Sequence, residues 1–186
     1  MTSKEKILAA DLASLRIIKY PDPRLAEVST PIEDVGEYLR PLVERMFEVM
    51  FAAKGVGLAA PQAGITVRLF VASPAYDKSD HRVYVNPRIL MVDGSQEEEE
   101  GCLSAPGINI RVKRYATATI EATGLDGRAF RESGVELAAR MYQHELDHLN
   151  GQIIVDKMGT VARLANRRTI KGLEEKYAEL LAEAKR

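Results

Sequence analysis

Two of the chain's three histidines, His144 and His148, stand four residues apart in Gln143-His144-Glu145-Leu146-Asp147-His148-Leu149-Asn150-Gly151. In a helix that spacing stacks both imidazoles on one face, one turn apart. Two neutral imidazoles so placed can grip one metal ion, with Glu145 beside it as a proton carrier. The chemistry implied is metal-assisted hydrolysis. Glu145 is too close in sequence to His144 to share its coordination easily. It fits a general base that takes a proton from water and later hands it to a leaving group.

The element that must carry these residues reads as a helix. Ser133 and Glu136 fit a capping box with Ser133 as N-cap, and Asn150-Gly151 supplies the stop. Leu137, Met141, His144 and His148 fall on one face, which is therefore expected to be buried. Buried histidines need partners, and a metal satisfies both at once. The third ligand is open at this point. A metzincin needs another histidine where the chain has Ile154. A gluzincin-type peptidase uses a later glutamate, and Glu174 or Glu175 is available. The single cysteine, Cys102, offers a thiolate suited to zinc or ferrous iron, although a lone cysteine also reads as a small buried apolar residue. The preceding Gly101 argues for a special backbone there. A glycine-rich stretch, Lys54-Gly55-Val56-Gly57-Leu58-Ala59-Ala60-Pro61-Gln62, follows a helical pattern, and it lacks the Gly-Lys-Ser/Thr of a phosphate loop.

Three stretches together resemble the three motifs of the peptide deformylase family, in that family's order. They are Gly55-Val56-Gly57-Leu58-Ala59-Ala60-Pro61-Gln62, Glu100-Gly101-Cys102-Leu103-Ser104 and Gln143-His144-Glu145-Leu146-Asp147-His148. The resemblance runs from Tyr20-Pro21-Asp22-Pro23-Arg24-Leu25 to Asp156. It implies Cys102, His144 and His148 as ligands of one divalent metal, with a position left for water, which is a catalytic arrangement. It implies Glu145 as proton carrier, the Leu103 backbone N–H and the Gln62 side-chain amide as oxyanion donors, and Gly57 as a close-approach residue near the substrate backbone. Fe(II) is the metal it implies in the cell, with Zn(II) or Ni(II) in a preparation. The implied substrates are N-formyl-methionyl peptides, and the products are formate and a free N-terminal methionine. Val56, Leu137 and Met141 are expected to wall an apolar pocket for the methionine side chain. The motive is that Leu137 and Met141 share the metal-facing stripe, and Val56 lies in the first motif. Nascent chains are met near the ribosome, so contact of the tail helix with the ribosome is a further expectation.

Composition agrees. The 186 residues fit one domain, 1–186, with 1–15 as a short extension or frayed helix. A formal net charge of -1 suggests no nucleic-acid surface. One cysteine makes no internal disulfide, which fits a reducing cytoplasm, and no apolar run suits a membrane span. A helix is expected over 34–54, its regular part starting near Tyr38 with Pro41 in the first turn. Strands are expected at 67–72, 83–86, 88–92, 109–113, 116–122 and 128–132, with a hairpin turn at Leu125-Asp126-Gly127-Arg128. The acidic run 97–100 reads as a solvated strand edge, with Glu100 the exception to watch beside the cysteine loop. Ile170, Leu173, Tyr177, Leu180, Leu181 and Ala184 form one packing stripe on a final helix. The fold class is α+β. The resemblance implies small antiparallel β-sheets packed around a central metal-binding helix, with an N-terminal helix and a C-terminal amphipathic helix.

Overall fold

Alternating and helically spaced apolar residues account for most of the elements. In the computed structural model, which describes every residue except Tyr76, Lys78, Lys185 and Arg186, the first helix is α1 (Ser3–Leu8), capped reciprocally by Thr2 and Glu5. It is not frayed: Ile7, with Leu15 beyond it, is buried in the same cluster as the next helix. That helix, α2 (Arg40–Ala52), follows a single 3-10 turn and holds Pro41 in its first turn. Leu39, Leu42, Val43, Met46, Phe47 and Met50 are all buried along it.

Among the described residues seven strands follow: β1 (Gly57–Ala59), β2 (Leu69–Ala72), β3 (Arg82–Asp93), β4 (Gln96–Gly101), β5 (Asn109–Arg114), β6 (Thr117–Thr123) and β7 (Ala129–Val135). They form one antiparallel sheet in the order β1-β2-β3-β6-β7 and a separate hairpin, β4-β5. The two strands expected at 83–86 and 88–92 are one strand, β3, with a register shift between Val85 and Arg88. Pro87 cannot donate to the ladder and Asn86 takes a positive φ of 49°, so the chain bulges there without ending the strand.

The helix α3 (Glu136–Leu149) packs on β1, β6 and β7. Its expected capping box does not form. Ser133 lies inside β7, opposite Thr119, and their hydroxyls bond at 2.8 Å. Strand pairing takes Ser133 before it can cap, and the chain switches to helix only after Val135. The switch bends at Glu136, whose φ is +48°. The stop is as expected: Asn150 caps and Gly151 takes a φ of +72°. A Cβ on Gly151 would lie 2.9 Å from the Ala26 carbonyl carbon. Gly151→Ala should therefore cost roughly 2–4 kcal/mol, the left-handed penalty plus overpacking. The check is a lower urea midpoint with an unchanged slope.

Two short-range expectations need correction at the C-terminus. The tail folds as α4 (Thr160–Ala165) and α5 (Arg167–Glu183). Only the first part of the expected stripe packs: Ile170 and Leu173 are buried against the β4-β5 hairpin cluster. Leu180 and Leu181 are exposed, because α5 runs on past the surface it covers. Among the described residues, no helix is long and apolar enough to cross a membrane.

Candidate metal centre

Cys102 leaves the end of β4 in a tight turn, and α3 presents its histidines to that turn. Cys102 Sγ lies 3.4 Å from His148 Nε2. The ligand-type atoms of Cys102, His144 and His148 all lie within 4.8 Å of one another. His144 Nδ1 sits 3.1 Å from Glu100 Oε2. A carboxylate only accepts, so the proton belongs on Nδ1 and the Nε2 lone pair is free to bind a metal.

The electrostatics fit a cation at this point. Burial opposes the Cys102 thiolate, but His148 and His144 outweigh it and hold the thiol well below its usual range. Burial likewise opposes a charged His144, and Cys102 and Glu100 overcome it, raising the group to about 10. The thiolate thus demands positive charge beside it, which a divalent ion supplies as well as an imidazolium does. One soft sulfur and two imidazole nitrogens suit zinc or ferrous iron. Among the described residues, Glu145 Oε2 is buried with no hydrogen-bond partner, an orphan oxygen beside the cluster. Burial raises the Glu145 carboxyl above its usual range, with His144 and His148 pulling it back only in part.

A cleft of about 370 Å³ opens onto this cluster. Gly57, Gln62 and Leu103 line it together with Cys102, His144 and Glu145. Gln62 is buried and held fast. Its Oε1 accepts from the Ala59 N–H at 2.9 Å, and its Nε2 donates to Ser104 Oγ at 3.4 Å and faces Cys102 Sγ at 3.6 Å. Gly57 is tight for a specific reason: a Cβ there would sit 2.9 Å from Glu145 Cδ. Its close approach is thus to the Glu145 carboxylate. Val56, Leu137 and Met141 also line the cleft. Met141 is buried, but Leu137 is 45% exposed, so the α3 stripe is not buried throughout. Leu137 stands in the first turn of the helix, at the rim where β7 hands over to α3.

The glutamates considered as a third ligand lie elsewhere. Glu174 takes a hydrogen bond from the Tyr20 hydroxyl and Glu175 faces Lys171, which removes the gluzincin alternative. The remaining histidine, His81, stacks on Phe47 with centroids 4.1 Å apart.

Sequence reasoning missed the charged chain behind the candidate ligands. Arg114 grips Glu100 with two bonds of 3.0 Å and Asp147 with one of 2.6 Å. Lys157 closes on Asp147 at 3.0 Å. Burial opposes the Glu100 carboxylate, but His144 and Arg114 hold it down at about 2. A signal existed: β5 alternates, with Ile110 and Val112 inward, and the same parity puts Arg114 inside. Glu97 to Glu99 are exposed, as a solvated edge should be, and only Glu100 turns in.

The profile of the polypeptide deformylase family matches residues 14–163. The chain belongs to the polypeptide deformylase family. Among its relatives, a peptide deformylase of Acidobacterium capsulatum is 44% identical over 149 residues, covering 79% of this chain and 88% of that one. The crystal structure of a peptide deformylase from Legionella pneumophila superposes with a TM-score of 0.82 at 40% identity, covering 89% and 98% of the two chains. An Arabidopsis thaliana peptide deformylase gives 0.84 at 39%, covering 89% and 93%. The deformylase motifs read from the sequence are the three stretches that meet at this cleft: one brings Gly57 and Gln62, one Cys102 and Leu103, and one His144, Glu145 and His148.

Proposed function

We propose that this deformylase hydrolyses the formyl amide at the N-terminal formyl-methionine of newly made polypeptides, releasing formate. The observation that carries this reading is the Cys102, His144 and His148 triad facing a cleft that also holds the buried carboxylate of Glu145. A divalent ion held there would polarise the formyl carbonyl and make water acidic enough to deprotonate near neutral pH. Glu145 accepts the water proton and returns it to the departing amine of methionine. The Leu103 N–H and the Gln62 Nε2 donate to the oxygen that gains charge as water adds to the formyl carbon. Gly57 leaves the Glu145 carboxylate room to reach that water. The C–N bond then breaks, giving formate and a free N-terminal amine.

Fe(II) is the metal we propose in the cell, with Zn(II) or Ni(II) taken up in a preparation. Ferrous iron beside a thiolate is prone to oxidation, so anaerobic purification should retain iron and aerobic handling should lose it. The reading places the protein in the cytoplasm. It also leaves ribosome contact to α5, which persistent ribosome pelleting after deletion of residues 170–186 would dismiss.

The test of the reaction is formate release from formyl-Met-Ala-Ser under anaerobic conditions with Fe(II). A folded, metal-loaded protein that releases none rejects it. Pocket walls are tested separately. Met141, buried on the cleft side of α3, is proposed to meet the methionine side chain with Val56 and Leu137. Met141→Trp overfills that space, and KM for formyl-Met peptides should rise about tenfold or more, the loss of one well-packed apolar contact. Unchanged kinetics would remove Met141 from the pocket.

A further inference from the structure

We infer that the run Ile18-Lys19-Tyr20 is a strap that sets Gln62 and Leu103 against each other, and that Lys19 is a positioning residue for the reaction. The inference rests on the oxyanion roles proposed above for those two residues. The run lies in neither donor loop and in no helix or strand. It nevertheless ties both loops from behind. The Ile18 N–H donates to the Gln62 carbonyl at 2.8 Å, and the Tyr20 N–H donates to the Ser104 carbonyl at 2.9 Å. Between them, the Lys19 ammonium donates to the Leu103 carbonyl at 2.6 Å. Ile18 and Tyr20 also pack on the apolar cluster that contains Cys102 and Ala105.

The turn at 102–105 shows what such ties accomplish. The Ala105 N–H closes it on the Cys102 carbonyl at 2.9 Å. That bond fixes the peptide joining Cys102 to Leu103, whose own N–H the turn does not use. Lys19 and Tyr20 then fix the next two carbonyls, those of Leu103 and Ser104. Gln62 is fixed in the same way, its backbone by Ile18 and its side chain by Ala59 and Ser104. Both donors are thereby indexed to one short run of chain. A bond from an ammonium is stronger than one between neutral groups. Of the three ties, only that of Lys19 comes from a side chain, so it can be removed without altering the backbone.

The test compares wild type, Lys19→Met and Lys19→Arg, all full-length and metal-loaded, in formate release from formyl-Met-Ala-Ser. Metal content and Tm are measured on the same samples. Small misplacement of catalytic groups costs up to about a hundredfold, so Lys19→Met should lower kcat about tenfold or more. KM should stay within about twofold, the pattern of a contact that matters only in the transition state. Metal content and Tm should hold, and Lys19→Arg should recover most of kcat. A Lys19→Met enzyme with wild-type kcat overturns the inference. So does a loss in which KM rises while metal content and Tm fall and arginine restores nothing. Wild-type protein that releases no formate rejects the deformylase reading itself, and the strap's role with it, before any variant is compared.

Discussion

Glu145→Gln should cut formate release by about a thousandfold, within the range for loss of a general acid–base group, while the protein keeps its metal. Glu145 is 4% exposed and, among the described residues, its Oε2 has no hydrogen-bond partner. A carboxylate kept in that condition is costly unless something in the cleft uses it. Glutamine fills the same volume beside Gly57 and cannot accept and return a proton. The ligand atoms of Cys102, His144 and His148 are untouched. Metal content by elemental analysis should therefore match wild type while kcat collapses. If metal and activity were lost together, Glu145 would belong to the metal's binding and not to proton transfer. If activity persisted, the base would have to be sought elsewhere in the cleft.

Arg114→Met should be the most destabilising change outside the ligands. Its side chain is 6% exposed, and its guanidinium joins two carboxylates whose side chains are 8% (Glu100) and 18% (Asp147) exposed. Removing the cation leaves Glu100 buried beside His144 alone, and breaking such a pair typically costs about 3–5 kcal/mol. Asp147 keeps Lys157, which is partly exposed and limits the loss on that side. The damage reaches the metal, because Glu100 fixes the tautomer of His144 and outer partners of this kind are worth about 10–100-fold in metal affinity. Urea titration and competition with a zinc chelator measure the two effects separately. Wild-type values in both would show that the charged chain is incidental.

The sequence made α3 legible because its signals are local: two histidines at helical spacing, apolar residues on the same face, and Asn150-Gly151 at the end. Its start was misread for a non-local reason. Whether Ser133 caps a helix or pairs in a strand depends on Thr119, which only the assembled sheet brings opposite. Leu137 was placed on a buried face by periodicity, yet periodicity does not say where the covering layer stops. The same holds for Leu180 and Leu181 on α5. The two-strand reading across Pro87 took a missing donor for a strand end, when β3 absorbs it as a bulge. The partners that tune the site were the least legible. Glu100 was noticed for its place beside Cys102, and Arg114 could have been found from the alternation of β5. Lys19 could not, because nothing in Ile18-Lys19-Tyr20 announces that its bonds run to Leu103, 84 residues on.

Two of the proposed metal ligands, His144 and His148, share one helical turn, but the third does not. Cys102 comes from the hairpin side, 46 residues from His148. An ion bound to all three is therefore a removable crosslink that closes a long loop. Unfolded chain has no such preformed site, so the free energy of binding adds to that of folding. Holo-protein should ride out heating that opens the apo-protein, and loss of the ion should free the β4-β5 hairpin from α3 before the five-stranded sheet gives way. Oxidation of the metal would then be a matter of lifetime as well as of catalysis: a molecule that loses its ion also loses part of what keeps it folded.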